Sequence, residues 1–135
     1  MKIPVNPAAF AERLGWRVDE RTAADLKTAT IEPATRTISV DDTLVDVSRR
    51  IAIAVAIGHI VNGDLDAIEQ TNTQSQNAQH DAEAAFFARS LLMPSLAVKA
   101  LVDVRGVKDP VTIRELFGVS SSMLYVRLRE LGYCG

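Results

Sequence analysis

Residues 50–59, RIAIAVAIGH, constrain this chain more than any other stretch. From Ile51 to Ile57 every residue is Ala, Val or Ile, so a helix there is apolar on every side. Such a helix has no solvent face and belongs inside a fold. The apolar stretch runs over residues 51–61, interrupted by Gly58 and His59. That is too short for the roughly 20 residues that cross a bilayer, so a buried core helix is expected. Its cover must come from aliphatic neighbours: hydrophobic residues make up 47% of the 135-residue chain, but aromatics only 5%. The length suits one domain, or one domain with a small appendage.

The flanking sequence supplies the rest of the architecture. Asp41 or Asp42 is expected to start the long helix, and Asn62-Gly63 to stop it. Near the N-terminus, Asn6 reads as a helix cap, with Pro7 at the first helical position and Gly15 beyond the end. Short β-like runs follow at residues 16–18, 28–31 and 37–40, separated by polar residues and Pro33. Residues 62–80 are rich in Gln, Asn, Thr and Ser, and read as a loop or as part of a polar helix. Further helices are expected at 81–93, ended by Pro94, then at 95–104, 111–117 and 121–131. The fold class is α+β: mainly helical, with a small N-terminal three-stranded sheet and a C-terminal helix-turn-helix-like pair. Residues 1–94 read as the core and 95–135 as a C-terminal helical region, expected to form one compact unit.

Charge narrows the partners. The net charge is -2, with an isoelectric point near 5.6. Residues 1–94 hold nine Lys and Arg against thirteen Asp and Glu, while residues 95–135 hold six against four. This balance argues against a protein dominated by phosphate contacts, and leaves only the C-terminal part mildly basic. Cys134 is the single cysteine, so one chain makes neither a disulfide nor a cysteine zinc site. One cysteine fits a reducing cytoplasm. No apolar run follows Met1-Lys2, so no signal peptide is expected, and no membrane partner.

Four segments resemble a known family. DAEAAFFARSLLMP, residues 81–94, is similar to the E-x-x-A-N-x-F-A-x-x-L-L-M-P pattern of the ImmA/IrrE family of zinc metallopeptidase-like proteins. Ala84, Phe87, Ala88, Leu91, Leu92, Met93 and Pro94 match, and Ala85 replaces the usual Asn. Arg50, Ile53, Ala54, Gly58 and His59 match the family helix R-F-T-I-A-H-E-L-G-H. LFGVSSSMLYVRLREL, residues 116–131, is similar to the family's L-F-x-V-S-x-x-A-M-x-x-R-L-x-x-L-G ending, and NPAAFAERLG to its first helix. The order and spacing of all four carry the inference, and the resemblance implies a zincin-like fold.

The resemblance also implies where chemistry would sit. A working zincin needs H-E-x-x-H: two histidines four apart on one helix face bind zinc, and the glutamate serves as general base. Here Val55 stands at the first histidine position and Ala56 at the glutamate, leaving His59 alone. Neither side chain binds zinc or accepts a proton. The resemblance places the third ligand at Asp81, with Glu83 as the other candidate; in a first helical turn both are equally ordinary start signals. His80 is the one other histidine, and a His59/His80/Glu83 site would be improvised. The favoured reading of His59 is a core or cleft histidine bonded to Asp81 or Glu83. No metal and no other cofactor is expected. Two aliphatic changes in an Ile/Ala/Val-rich helix read as natural repacking into a dry core.

The C-terminal pair offers a second candidate site. Val119, Leu124, Leu128 and Leu131 are expected to pack inward, with Ser120 capping the last helix. Ser121, Ser122, Tyr125, Arg127 and Arg129 are the candidate DNA-contacting residues. Arg114 stands where such pairs usually carry a small residue, which favours packing or protein contact over DNA. The resemblance implies a role in gene regulation, often against a helix-turn-helix repressor of a phage or mobile element. The leading expectation is therefore a catalytically inactive regulatory protein that binds such a repressor. The alternatives are a DNA-binding module using the C-terminal pair, and a residual zinc peptidase.

Overall fold

The computed structural model describes residues 3–21, 29–63 and 78–133. Thr28, Cys134 and most of the polar 62–80 segment (residues 64–77) lie outside the described residues. Helix α1 (Pro7–Arg13) begins as expected: Asn6 Oδ1 accepts from the Ala9 amide at 3.2 Å, and Pro7 occupies the first turn. Strands β1 (Arg17–Arg21), β2 (Ala29–Glu32) and β3 (Thr37–Asp41) form one sheet in the order β1-β3-β2. β1 runs parallel to β3 and β2 antiparallel to it, so Val18 and Ile31 flank Ile38 on either side. The central strand is buried from Thr37 to Val40.

Helix α2 (Asp46–Asn62) starts later than either Asp41 or Asp42. Asp41 is occupied elsewhere: its carboxylate accepts from the Thr43 amide at 2.9 Å and the Thr43 hydroxyl at 2.7 Å. That side-chain turn closes the end of β3, so the helix begins only after it. Gly63 stops α2 in the left-handed region, at φ 75°. Helix α3 (Ala78–Leu92) starts three residues before Asp81 and takes Gln79 and His80 into its first turn. Helix α4 (Ser95–Lys99) continues into a π-helical turn, Ala100–Val104. Helices α5 (Pro110–Phe117) and α6 (Ser121–Glu130) form the C-terminal pair, joined through Gly118 at φ 68°.

The apolar circumference of α2 has a direct physical explanation. Ala52, Ile53, Ala56 and Ile57 pack into a first core cluster with Ala11, Trp16 and the sheet residues Ile31, Ile38 and Val40. Ala54, with Ile51 and Val55 at its margin, joins a second cluster built from α3 and the C-terminal helices. One helix therefore serves two cores, and its Ile51–Ile57 stretch has no exposed residue. The second cluster joins Leu92 and Met93 to Val98, Ile113, Phe117 and Leu124, so apolar packing crosses residue 94 without a break.

Candidate functional site

The site is built on the close approach of α2 and α3. A Cβ placed on Gly58 would lie 2.7 Å from the Ala84 carbonyl oxygen and 2.9 Å from Ala84 Cα, so only glycine fits. The contact puts the next residue, His59, against the first turn of α3. His59 is fully buried, and its Nε2 lies 3.8 Å from Asp81 Oδ1. The Asp81 side chain is 40% exposed, so this pair joins the interior to the surface.

The described residues around His59 do not fit zinc. Ala56 is fully buried in the first core cluster, and Val55 is partly buried against the second. Val55 and Ala56, where the resemblance sets the first histidine and the glutamate, thus pack into the two cores. Those side chains carry no lone pair, and a zinc centre takes at least three protein ligands. His59 and Asp81 would supply one nitrogen and one oxygen. Among the described residues, no group of three or more His, Cys, Asp or Glu could hold a metal ion.

Asp81 and Glu83 take different places. Asp81 approaches His59, whereas Glu83 lines an open groove of about 520 Å³ with Asn62, Gln79, Ala82, Phe86 and Phe87. Phe86 is half-exposed in this groove, and the Arg89 guanidinium lies 5.8 Å from its ring centre. His80 is partly buried beside Asp81. The improvised His59/His80/Glu83 set is not among groups placed to hold an ion.

The C-terminal pair divides the five candidate DNA-contacting residues. Ser121, Ser122, Tyr125 and Arg129 are exposed on α6. Arg127 is not: it is only 5% exposed, and its Nε donates to the Met93 carbonyl at 2.9 Å. The expectation that Arg127 faces a nucleic acid is corrected here. Arg127 lies on the same helix face as Leu124 and Leu128, so its guanidinium is carried inward and bonds the end of α3. The 3.6-residue period alone could have flagged it. Ser120 caps α6 by accepting from the Met123 amide at 3.2 Å. Arg114, large where a small residue is usual, does not wedge the pair apart: its Nη1 donates outward to Ser121 Oγ at 3.1 Å.

Two arginines tie this pair to the α2–α3 layer, and sequence reasoning assigned neither a role. Arg50 on α2 donates from Nε to the Gly118 carbonyl at 3.2 Å and from Nη2 to the Phe117 carbonyl at 3.1 Å. It thereby satisfies the orphan carbonyls at the end of α5. Burial holds the Arg50 pKa below its ordinary value, and Asp46 opposes that shift. Arg89 on α3 donates from Nε and Nη2 to Glu130 Oε2 at 3.0 and 2.6 Å. Arg127 reaches the other oxygen of Glu130 at 3.4 Å. Burial pushes the Glu130 carboxyl up, but bonds and charge from Arg89 and Arg127 outweigh it and hold the pKa below 4.5.

A small mixed sheet against a buried helix, with a second helix bringing the Asp81 carboxylate within 3.8 Å of His59, fits a zincin-like α+β domain. The chain belongs to the family of IrrE N-terminal-like domains, whose model matches residues 5–129. Its structure is similar to that of a Mycobacterium tuberculosis transcriptional regulator, with a TM-score of 0.70 and 22% identity. The likeness covers 90% of this chain and 39% of that one, so the present chain spans about two fifths of the solved protein. At this identity the likeness speaks for the fold. No curated protein sequence matches the chain.

Proposed function

We propose that this chain is a catalytically inactive regulatory domain that binds a helix-turn-helix repressor or similar regulator in the cytoplasm. Its setting is the transcriptional control of a phage or mobile element. One observation carries the reading: Val55 and Ala56, which the resemblance sets at a working peptidase's ligand and base positions, pack into the two cores. A fold that keeps its helix pair while losing its donors retains surfaces for recognition and nothing to activate water. The regulatory role also agrees with the family and with the transcriptional regulator of the same fold.

The test is to incubate the purified chain with a helix-turn-helix repressor while measuring zinc by mass spectrometry. The expected result is a stable complex, an intact repressor and zinc far below one ion per chain. Stoichiometric zinc with a cleaved repressor would overturn the reading.

A second reading is DNA binding through α6, favoured by the exposure of Ser121, Ser122, Tyr125 and Arg129 on one helix. It predicts a salt-dependent gel shift that Arg129→Ala weakens. A shift of equal strength with that variant counts against it.

A further inference from the structure

Val104 and Leu96, 82% and 73% exposed, are the most exposed large hydrophobic side chains among the described residues. Both lie on α4 and its π-helical turn, eight residues apart, with exposed Ala100 midway between them. In a uniform α-helix each step of four residues drifts by roughly 40° around the axis, so Val104 would turn well away from Leu96. The π turn works against this drift. Its wider ring, closed by the Arg105 amide on the Ala100 carbonyl at 3.0 Å, advances each residue by a smaller angle. Val104 is thereby turned back towards the line of Leu96 and Ala100. On the opposite side, Val98 and Leu101 are buried in the second core cluster, which holds the element down and keeps the stripe outward.

The charge around the stripe selects its partner. Exposed Lys99 adjoins Ala100, exposed Arg105 adjoins Val104, and exposed Lys108 follows. The two neighbouring carboxylates are engaged locally: Asp103 accepts from the Tyr133 hydroxyl at 2.8 Å, and Asp109, next to Lys108, from the Thr112 hydroxyl at 2.7 Å. An apolar ridge edged by cations complements a helix with an apolar seam and acidic flanks. We propose that Leu96, Ala100 and Val104 form a docking ridge for an acidic amphipathic helix of a partner protein. This deepens the regulator-binding reading, and rests on it for the partner's identity.

The experiment is an amide-shift titration of the full chain with a synthetic helical peptide carrying Leu at every fourth position and Glu beside it. A peptide with Lys in place of Glu, and phosphatidylglycerol vesicles, serve as comparisons. The expected shifts fall within residues 95–108, with binding about tenfold weaker for Val104→Gln and for Arg105→Glu. Both residues are exposed, so both variants should keep the wild-type circular dichroism spectrum. Shifts elsewhere, indifference to Val104→Gln, a preference for the vesicles, or self-association through the same residues would each overturn the proposal. A repressor that binds Val104→Gln as tightly as wild type removes the ridge and leaves the regulatory reading intact. A repressor that does not bind wild type removes that reading, while the peptide titration still reports on the ridge.

Discussion

Gly58 and Ala84 touch through their backbones: a Cβ on Gly58 would come within 2.7 Å of the Ala84 carbonyl oxygen. Alanine at a helical glycine normally gains about 1 kcal/mol of helix propensity. Here the obstacle is backbone, which cannot swing aside, and overpacking costs about 1–3 kcal/mol. Gly58→Ala is therefore expected to lower the urea midpoint, as the strain outweighs the propensity. An unchanged midpoint would mean that α2 and α3 slide apart freely.

Arg50 contributes through geometry as well as charge. Its planar fork reaches two adjacent carbonyls, those of Phe117 and Gly118, which a lysine cannot imitate. Arg50→Ala is expected to cost about 1–3 kcal/mol, by removing hydrogen bonds from a charged donor to half-buried acceptors. Arg50→Lys should recover only part of it. Hydrogen exchange at the α5–α6 turn provides the check: faster exchange there confirms the link, and a change confined to α2 contradicts it.

Arg127 and Arg129 are two residues apart and should respond very unequally. Arg127→Ala leaves the Met93 carbonyl without this donor and removes one cation from Glu130. Breaking a buried pair costs 3–5 kcal/mol, but Glu130 is 23% exposed, so a loss of about 2–3 kcal/mol is expected. Arg129→Ala changes an exposed position and should stay within about 0.5 kcal/mol. Equal losses in chemical denaturation would contradict this placement of α6.

Acid should loosen the contact between α3 and α6. The Glu130 carboxyl is held below its ordinary 4.5. A depressed carboxylate contributes stability above its unfolded pKa, and that stability is lost as pH falls through the folded value. Asp41 and Asp109 are lowered too, Asp41 by Thr43 and Asp109 by Thr112, and add to the same trend. Urea midpoints should thus hold near neutrality and fall from about pH 4.5 downwards. Glu130→Gln should be less stable at neutral pH and less sensitive to acid. A variant with the wild-type pH profile would rule out Glu130 as a contributor.

Much of the fold was legible because its signals are local. The Asn6 cap, the Gly63 stop and the inward Val119, Leu124 and Leu128 all follow from one helix's own period or cap. The start of α2 was not legible, because Asp41 offers the same carboxylate to a helix or to a turn and Thr43 settles the choice. The candidate site was half legible. Val55 and Ala56 could be seen to lack donors, but the division of α2 between two cores depends on what packs against each side.

The sequence by itself determined an aliphatic helix that must be buried, a lone His59 in place of a three-residue motif, and a C-terminal helix pair. These are statements about residue type and period, which need no neighbour. Only the tertiary structure decided that Asp81 and not Glu83 faces His59, that Arg127 turns inward, and that Arg50 grips the α5–α6 turn. Each of those outcomes depends on what a distant segment offers a charged group, and such a group goes wherever hydrogen-bond partners offset the cost of leaving water.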